Sequence, residues 1–161
     1  MRCSLAFFAA LSLCGAACSK ETGKPTPPAE IVAKAPELMA ASIAGQEVSA
    51  HIKQQLTLAA REGRRLVVYV GASWCEPCHD WHNAVRNGTT GALPAVRFLE
   101  FDLDKDGEAL ARAGYRTNMV PYFALPNEDG TAAGAHFAGV RKGGNYVSQI
   151  REQLIAMLAG P

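Results

Sequence analysis

SWCEPCHDWH, Ser73 to His82, holds two cysteines separated by two residues, a histidine directly after the second, and another histidine three positions further on. Three chemistries use such a set. Cys-x-x-Cys can be a redox-active disulfide, Cys-x-x-Cys-His a covalent haem anchor, and two Cys with two His a zinc site. The flanking sequence places the stretch. Leu66 to Val70 (LVVYV) is a continuous apolar run rich in β-formers, which predicts a central strand buried on both faces. The segment PCHDWHNAVRNG predicts a helix that Pro77 opens and Asn87-Gly88 closes. The cysteines therefore sit where a buried strand turns into a helix N-terminus.

The pattern extends in both directions. In Glu47–Glu62, Val48, Ile52, Leu56 and Ala59 or Ala60 recur at helical spacing, and Gly63 stops the helix. His51 beside this stripe reads as a surface or boundary residue without a role. Val96–Asp102 (VRFLEFD) predicts a second strand, and Asp106 caps a short helix through Ala113, ended by Gly114. Tyr122–Leu125 predicts a third strand after Val120-Pro121, the PNEDG sequence a turn, and Ala135–Val140 a fourth strand. Asn145–Leu158 predicts a closing helix with Val147, Ile150, Leu154 and Leu158 on one face. His136 in the late hairpin reads as structural or exposed. This order implies an α/β fold with a central mixed β-sheet flanked by helices.

From about Leu38 onward the chain resembles the thioredoxin family. The resemblance rests on the strand LVVYV, on Trp74-Cys75-Glu76-Pro77-Cys78, on Val120-Pro121 before a strand, and on the closing hairpin and helix. It implies a thioredoxin fold, a cis Val120–Pro121 peptide beside the disulfide, and exchange of that disulfide with protein substrates. The short spacing from Asp102 to Pro121 leaves little room for the helical insertion of the cytochrome-maturation and peroxiredoxin-like branches. Cys-Glu-Pro-Cys nevertheless resembles the motif of some membrane-tethered reductases of cytochrome c maturation. Pro77 beside the inner cysteine, together with Glu76, resembles reducing members, which favours a reductase or isomerase.

Exchange needs a thiolate, and a helix N-terminus stabilises one through its unpaired N–H groups and dipole. Cys75 is expected to be exposed and to attack, and Cys78, one turn inside, to be shielded and to resolve the mixed disulfide. Glu76 and a protonated His79 tune the thiol in opposite directions. Trp74 shields the sulfurs or lines a substrate groove, and Val120 and Pro121 offer backbone to which a substrate strand pairs. Many thioredoxins have a buried acid in the strand before the motif. The matching residue here is Tyr69, so proton transfer falls to water, Glu76 or His79. No cofactor beyond the Cys75–Cys78 disulfide is expected.

The rival readings fit less well. For haem, His79 would ligate iron, with Met119, or equally Met39 or Met157, as distal ligand; cytochrome c domains are mostly helical, and a β-rich strand precedes this motif. A zinc site from Cys75, Cys78, His79 and His82 is too compact for tetrahedral closure, so no metal is expected there; His82 reads as an outward helical residue and Trp81 as packing on the sheet. Asp102 to Gly107 imitates half an EF-hand loop, but the twelfth position is Ala113 instead of Glu. A non-enzymatic thioredoxin-fold binding or chaperone module is disfavoured by the presence of both cysteines.

The N-terminus assigns a compartment. MRCSLAFFAALSLCGAAC has one arginine, an apolar run and small residues at its end, which reads as a secretory signal over residues 1–17. Gly15-Ala16-Ala17-Cys18 resembles a bacterial lipobox, which implies a lipidated Cys18 as the mature N-terminus and anchoring at a membrane. Residues 18–37 carry four prolines and no periodicity, and read as a tether holding a domain, residues 38–161, off the membrane. The 161 residues carry a net charge of +1 with scattered Lys and Arg, so no nucleic-acid partner is indicated. The expectation is a lipid-anchored oxidoreductase of the bacterial cell envelope, facing the periplasm or extracytoplasmic space, served by a membrane electron donor or acceptor.

Overall fold

Val67, Val68, Tyr69 and Val70 are all inaccessible to solvent, as a strand covered on both faces requires. The computed structural model describes residues 34–160. In it the chain runs β1 (Glu37–Ala40), α1 (Val48–Arg61), β2 (Arg65–Gly71), α2 (Glu76–Arg86), β3 (Val96–Asp102), α3 (Leu103–Arg112), β4 (Tyr122–Pro126), β5 (Ala132–Ala138) and α4 (Tyr146–Ala159). The sheet order is β1-β3-β2-β4-β5. β3 runs parallel to both β1 and β2, whereas β4 is antiparallel to β2 and β5. This mixed sheet, with helices on both faces, is the thioredoxin fold that the resemblance implies.

Alternation along the strands divides the interior into two cores. Val68, Val70, Leu99, Phe101 and Tyr122 meet Val48 and Ile52 of α1 and Leu110 of α3 on one face. Val67, Tyr69, Phe98 and Phe123 meet Trp81 of α2 and Ile150 and Leu154 of α4 on the other. Cys75 and Cys78 belong to this second core. Trp81 stands edge-on to Phe98 and Phe123, with ring centroids 5.4 and 5.8 Å away, a geometry aromatic quadrupoles favour.

Four local readings change. β1 was not foreseen: it is four residues long, half-buried and paired on one side only, so its periodicity is too brief to register. It begins at Glu37, inside the expected tether, and Arg97 anchors it there. This buried guanidinium reaches Glu37 through Nε (2.5 Å) and Glu62 through Nη2 (2.6 Å). Second, the cap of α3 is Asp102, whose carboxylate accepts the Asp104 and Lys105 N–H groups; Asp106 lies inside the helix and accepts the Asp102 N–H. Third, the last strand spans Ala132–Ala138 instead of Ala135–Val140. In the turn before it, Gly130 has φ +86°, and a Cβ there would lie 2.0 Å from the Ser49 carbonyl oxygen.

The fourth concerns His51, which is 6% exposed instead of lying at the surface. Its Nδ1 is 3.3 Å from Gln46 Nε2, and its Nε2 has no partner. Burial lowers its pKa from 6.5, because the charged ring would lose its hydration. A depressed folded-state pKa leaves its stability contribution intact above about 6.5 and removes it as pH falls through the folded value. The thermal midpoint is therefore expected to fall between pH 7.5 and pH 5, and His51→Gln to reduce that fall; an unchanged pH dependence in the variant would contradict the assignment.

Candidate active site around the Cys75–Cys78 disulfide

Ala72 and the Ser73-Trp74 turn end β2 and deliver Cys75 to the N-cap of α2, with Glu76 and Pro77 opening the first turn. Pro77 lacks an N–H at a position where none is needed, so it costs no helical hydrogen bond. The Cys75 carbonyl accepts the N–H groups of Cys78 and His79 at 3.1 and 3.2 Å. The Cys75 sulfur accepts the Cys78 N–H as well, at 3.2 Å. Cys75 and Cys78 are joined as a disulfide, with an S–S distance of 2.04 Å and Cα atoms 5.2 Å apart. Once reduced, Cys75 presents its sulfur to the free N–H groups and positive end of a helix, the setting that favours thiolate over thiol.

The expected contrast between an exposed Cys75 and a shielded Cys78 is absent in this oxidised state: the two are 3% and 2% exposed. Val120, half-buried, packs against the cluster that contains both. The Val120–Pro121 peptide is cis, as the resemblance implies.

Two depressions with no lining residue in common flank the motif. One is a groove of about 300 Å3 bordered by Trp74, Glu76, Pro77, Met119, Val120 and Tyr146. Trp74 is 63% and Met119 53% exposed, a rare concentration of large apolar surface among the described residues. The Trp74 ring is not loose: its Nε1 donates to Asp104 Oδ2 at 2.9 Å. Pro121 is buried and is not among the residues bordering the groove.

The other depression is a polar cleft of about 460 Å3 lined by Cys78, Tyr69, His79, His82 and Glu100, among others. His79 Nε2 donates to the Ser73 carbonyl at 2.9 Å, which ties its ring to the turn. His82, expected to point outward, is instead drawn to the sheet: its Nε2 lies 2.8 Å from Glu100 Oε1. The geometry does not make this a directed hydrogen bond, so the contact is a close approach of the ring to the carboxylate. Tyr69 stands edge-on to His82 at 5.6 Å, with a buried hydroxyl lacking a partner. Burial, and secondarily the Glu100 charge, push its phenol far above the ordinary tyrosine range, so it stays protonated throughout the physiological range.

The sequence reading missed Glu100, Asp104 and the role of Met119 as groove lining. A signal existed for Glu100, a carboxylate set between the apolar Leu99 and Phe101 inside a strand, and for His82, which follows Cys78 by four residues and so shares its helix face. Asp104 comes to Trp74 from a different element, a contact no local pattern encodes. Cys18 lies outside the described residues.

Among solved structures, thioredoxin from Fasciola hepatica aligns with 69% of this chain and 95% of its own, at 24% identity and a TM-score of 0.46. Thioredoxin from Trypanosoma brucei brucei aligns with 81% of this chain and 98% of its own, at 18% identity and a TM-score of 0.46. No family model and no curated protein matches the chain.

Proposed function

We propose that the chain is a protein thiol–disulfide oxidoreductase, with Cys75 as attacking and Cys78 as resolving cysteine. The observation that carries this is the disulfide at the N-cap of α2, its outer sulfur already accepting a helix N–H. In the reducing direction the Cys75 thiolate attacks a substrate disulfide, one substrate thiolate leaves, and Cys78 then displaces the other and re-forms Cys75–Cys78. The reaction exchanges two electrons between dithiol and disulfide and needs no further cofactor. Glu76 and Pro77 lie between the two cysteines and favour a reductase or isomerase by resemblance. The test is catalysed reduction of insulin by dithiothreitol, which the protein is expected to accelerate; no acceleration over the uncatalysed reaction would count against the reading.

Protein substrates would lie in the groove between Trp74, Met119 and Val120, where apolar contact and backbone pairing both operate. Trp74→Ala is expected to lower kcat/KM for a protein disulfide by about tenfold, the worth of roughly 1.4 kcal/mol of lost contact. Turnover of a small disulfide such as oxidised glutathione should change little; equal losses on both would mean that Trp74 supports the fold and not the substrate.

In this reading the protein works outside the cytoplasm, tethered through lipidated Cys18 and the proline-rich residues 18–37, and exchanges electrons with a membrane partner. The support is the signal-like start, the lipobox resemblance and the balanced charge of the sequence. Cys18→Ser is expected to move the protein from the membrane fraction to the soluble fraction; retention on the membrane would refute the anchor.

A further inference from the structure

Resolution of the mixed disulfide requires Cys78 to lose its proton inside a core where both cysteines are almost inaccessible. Burial in apolar surroundings holds a thiol protonated, so the step needs a base. Tyr69 of β2 lines the same cleft as Cys78, but its phenol stays protonated. Glu76 lines the groove and not the cleft that reaches Cys78. His79 follows Cys78 directly, so its side chain leaves α2 on a different face, and its ring is tied to the Ser73 carbonyl.

We propose that His82 is the proton acceptor for Cys78 and that Glu100 positions it. This rests on the oxidoreductase reading above. His82 follows Cys78 by four residues on α2, so the two side chains lie on one face, with Cβ atoms roughly 5–6 Å apart. Both line the same polar cleft, the space through which a proton would pass between them. Glu100, on β3, lies 2.8 Å from His82 Nε2. Its charge keeps a hydrogen on Nε2, leaves Nδ1 as the accepting atom, and stabilises the imidazolium once it forms. The His82 side chain is 21% and the Glu100 side chain 27% exposed, so the proton has an exit to solvent. The other ionisable groups lining the cleft are His79 on α2, Asp102 on β3, and Lys105 and Asp106 on α3.

The step balances. The Cys78 S–H proton passes to His82, the Cys78 thiolate attacks the Cys75 sulfur, the Cys75–substrate S–S bond breaks, and the substrate thiolate leaves with the electron pair. His82 then returns its proton to water. In the oxidising direction the same ring gives that proton back to Cys78.

The two sulfurs can be timed separately. When reduced protein meets dithiobis(nitrobenzoate), the first coloured thiolate reports attack by Cys75, and the second reports displacement by Cys78. In His82→Ala the first release is expected to be unchanged and the second slowed roughly 10²-fold, as for loss of a positioned general base. Added imidazole should restore part of the second release, which it cannot do for a merely structural loss. Glu100→Gln should slow the second release less and shift its pH profile. The proposal is overturned if the second release in His82→Ala keeps its normal rate, if both releases fall together, or if imidazole restores nothing. If the unsubstituted protein gives no first release, the oxidoreductase reading fails and the relay with it.

Discussion

Cys75→Ser is expected to abolish disulfide exchange, lowering insulin reduction on the order of 10³-fold or more, to the uncatalysed background. Cys78→Ser is expected to do something different. Its Cys75 still sits at the N-cap of α2 with helix N–H groups facing its sulfur, so it should still attack. The displacement that follows is missing, and a mixed disulfide should accumulate, mapping to Cys75 and released by dithiothreitol. The asymmetry between the variants carries the argument, because a structural disulfide predicts equal losses in both. A binding module predicts retained association in Cys75→Ser, and a haem anchor predicts no adduct in either. Adduct on Cys78 in Cys75→Ser, with none in Cys78→Ser, would reverse the assignment of the two sulfurs.

The second large effect is on stability. Trp81 is completely buried between the sheet and α4, ringed by Phe98 and Phe123. Trp81→Ala removes the largest side chain of the core that also holds both cysteines, and cores of this density collapse only partly around such a loss. The expected cost is about 3–5 kcal/mol, a large share of the roughly 5–15 kcal/mol by which a domain is stable. The thermal midpoint should fall by roughly 10–20 °C. Trp81→Phe should cost much less, since the indole Nε1 has no hydrogen-bond partner to lose. Calorimetry of the two variants decides this, and equal destabilisation would mean that the indole N–H has a partner after all.

The central part of the fold was legible because burial on both faces leaves an unmistakable mark. LVVYV has no polar residue to interrupt it, and the helices at Val48–Arg61 and Tyr146–Ala159 carry apolar stripes at helical spacing. The cysteine pair was equally legible, since Cys-x-x-Cys at a strand–helix junction has few other uses. What escaped the sequence depends on distant partners. β1 owes its place to pairing with β3 and to Arg97, which lies sixty positions from Glu37. The tie from Trp74 to Asp104 joins residues 30 positions apart. His82 appeared outward because helical periodicity alone cannot reveal Glu100 across the cleft. The proton-transfer question raised by Tyr69 was visible in the sequence, whereas the candidate answer required the register that sets Tyr69 against Glu100.

The most direct measurement is the redox equilibrium of Cys75–Cys78 against glutathione buffers, followed by alkylation and mass analysis of each cysteine. The account predicts a reversible two-electron couple confined to Cys75 and Cys78, its potential lying toward the reducing end of thioredoxin-fold proteins, about −270 mV, and away from the strongly oxidising end, about −120 mV. A reversible couple near the oxidising end would keep the chemistry and reverse its direction, pointing to disulfide formation. Absence of any reversible couple at Cys75 and Cys78 would contradict the account.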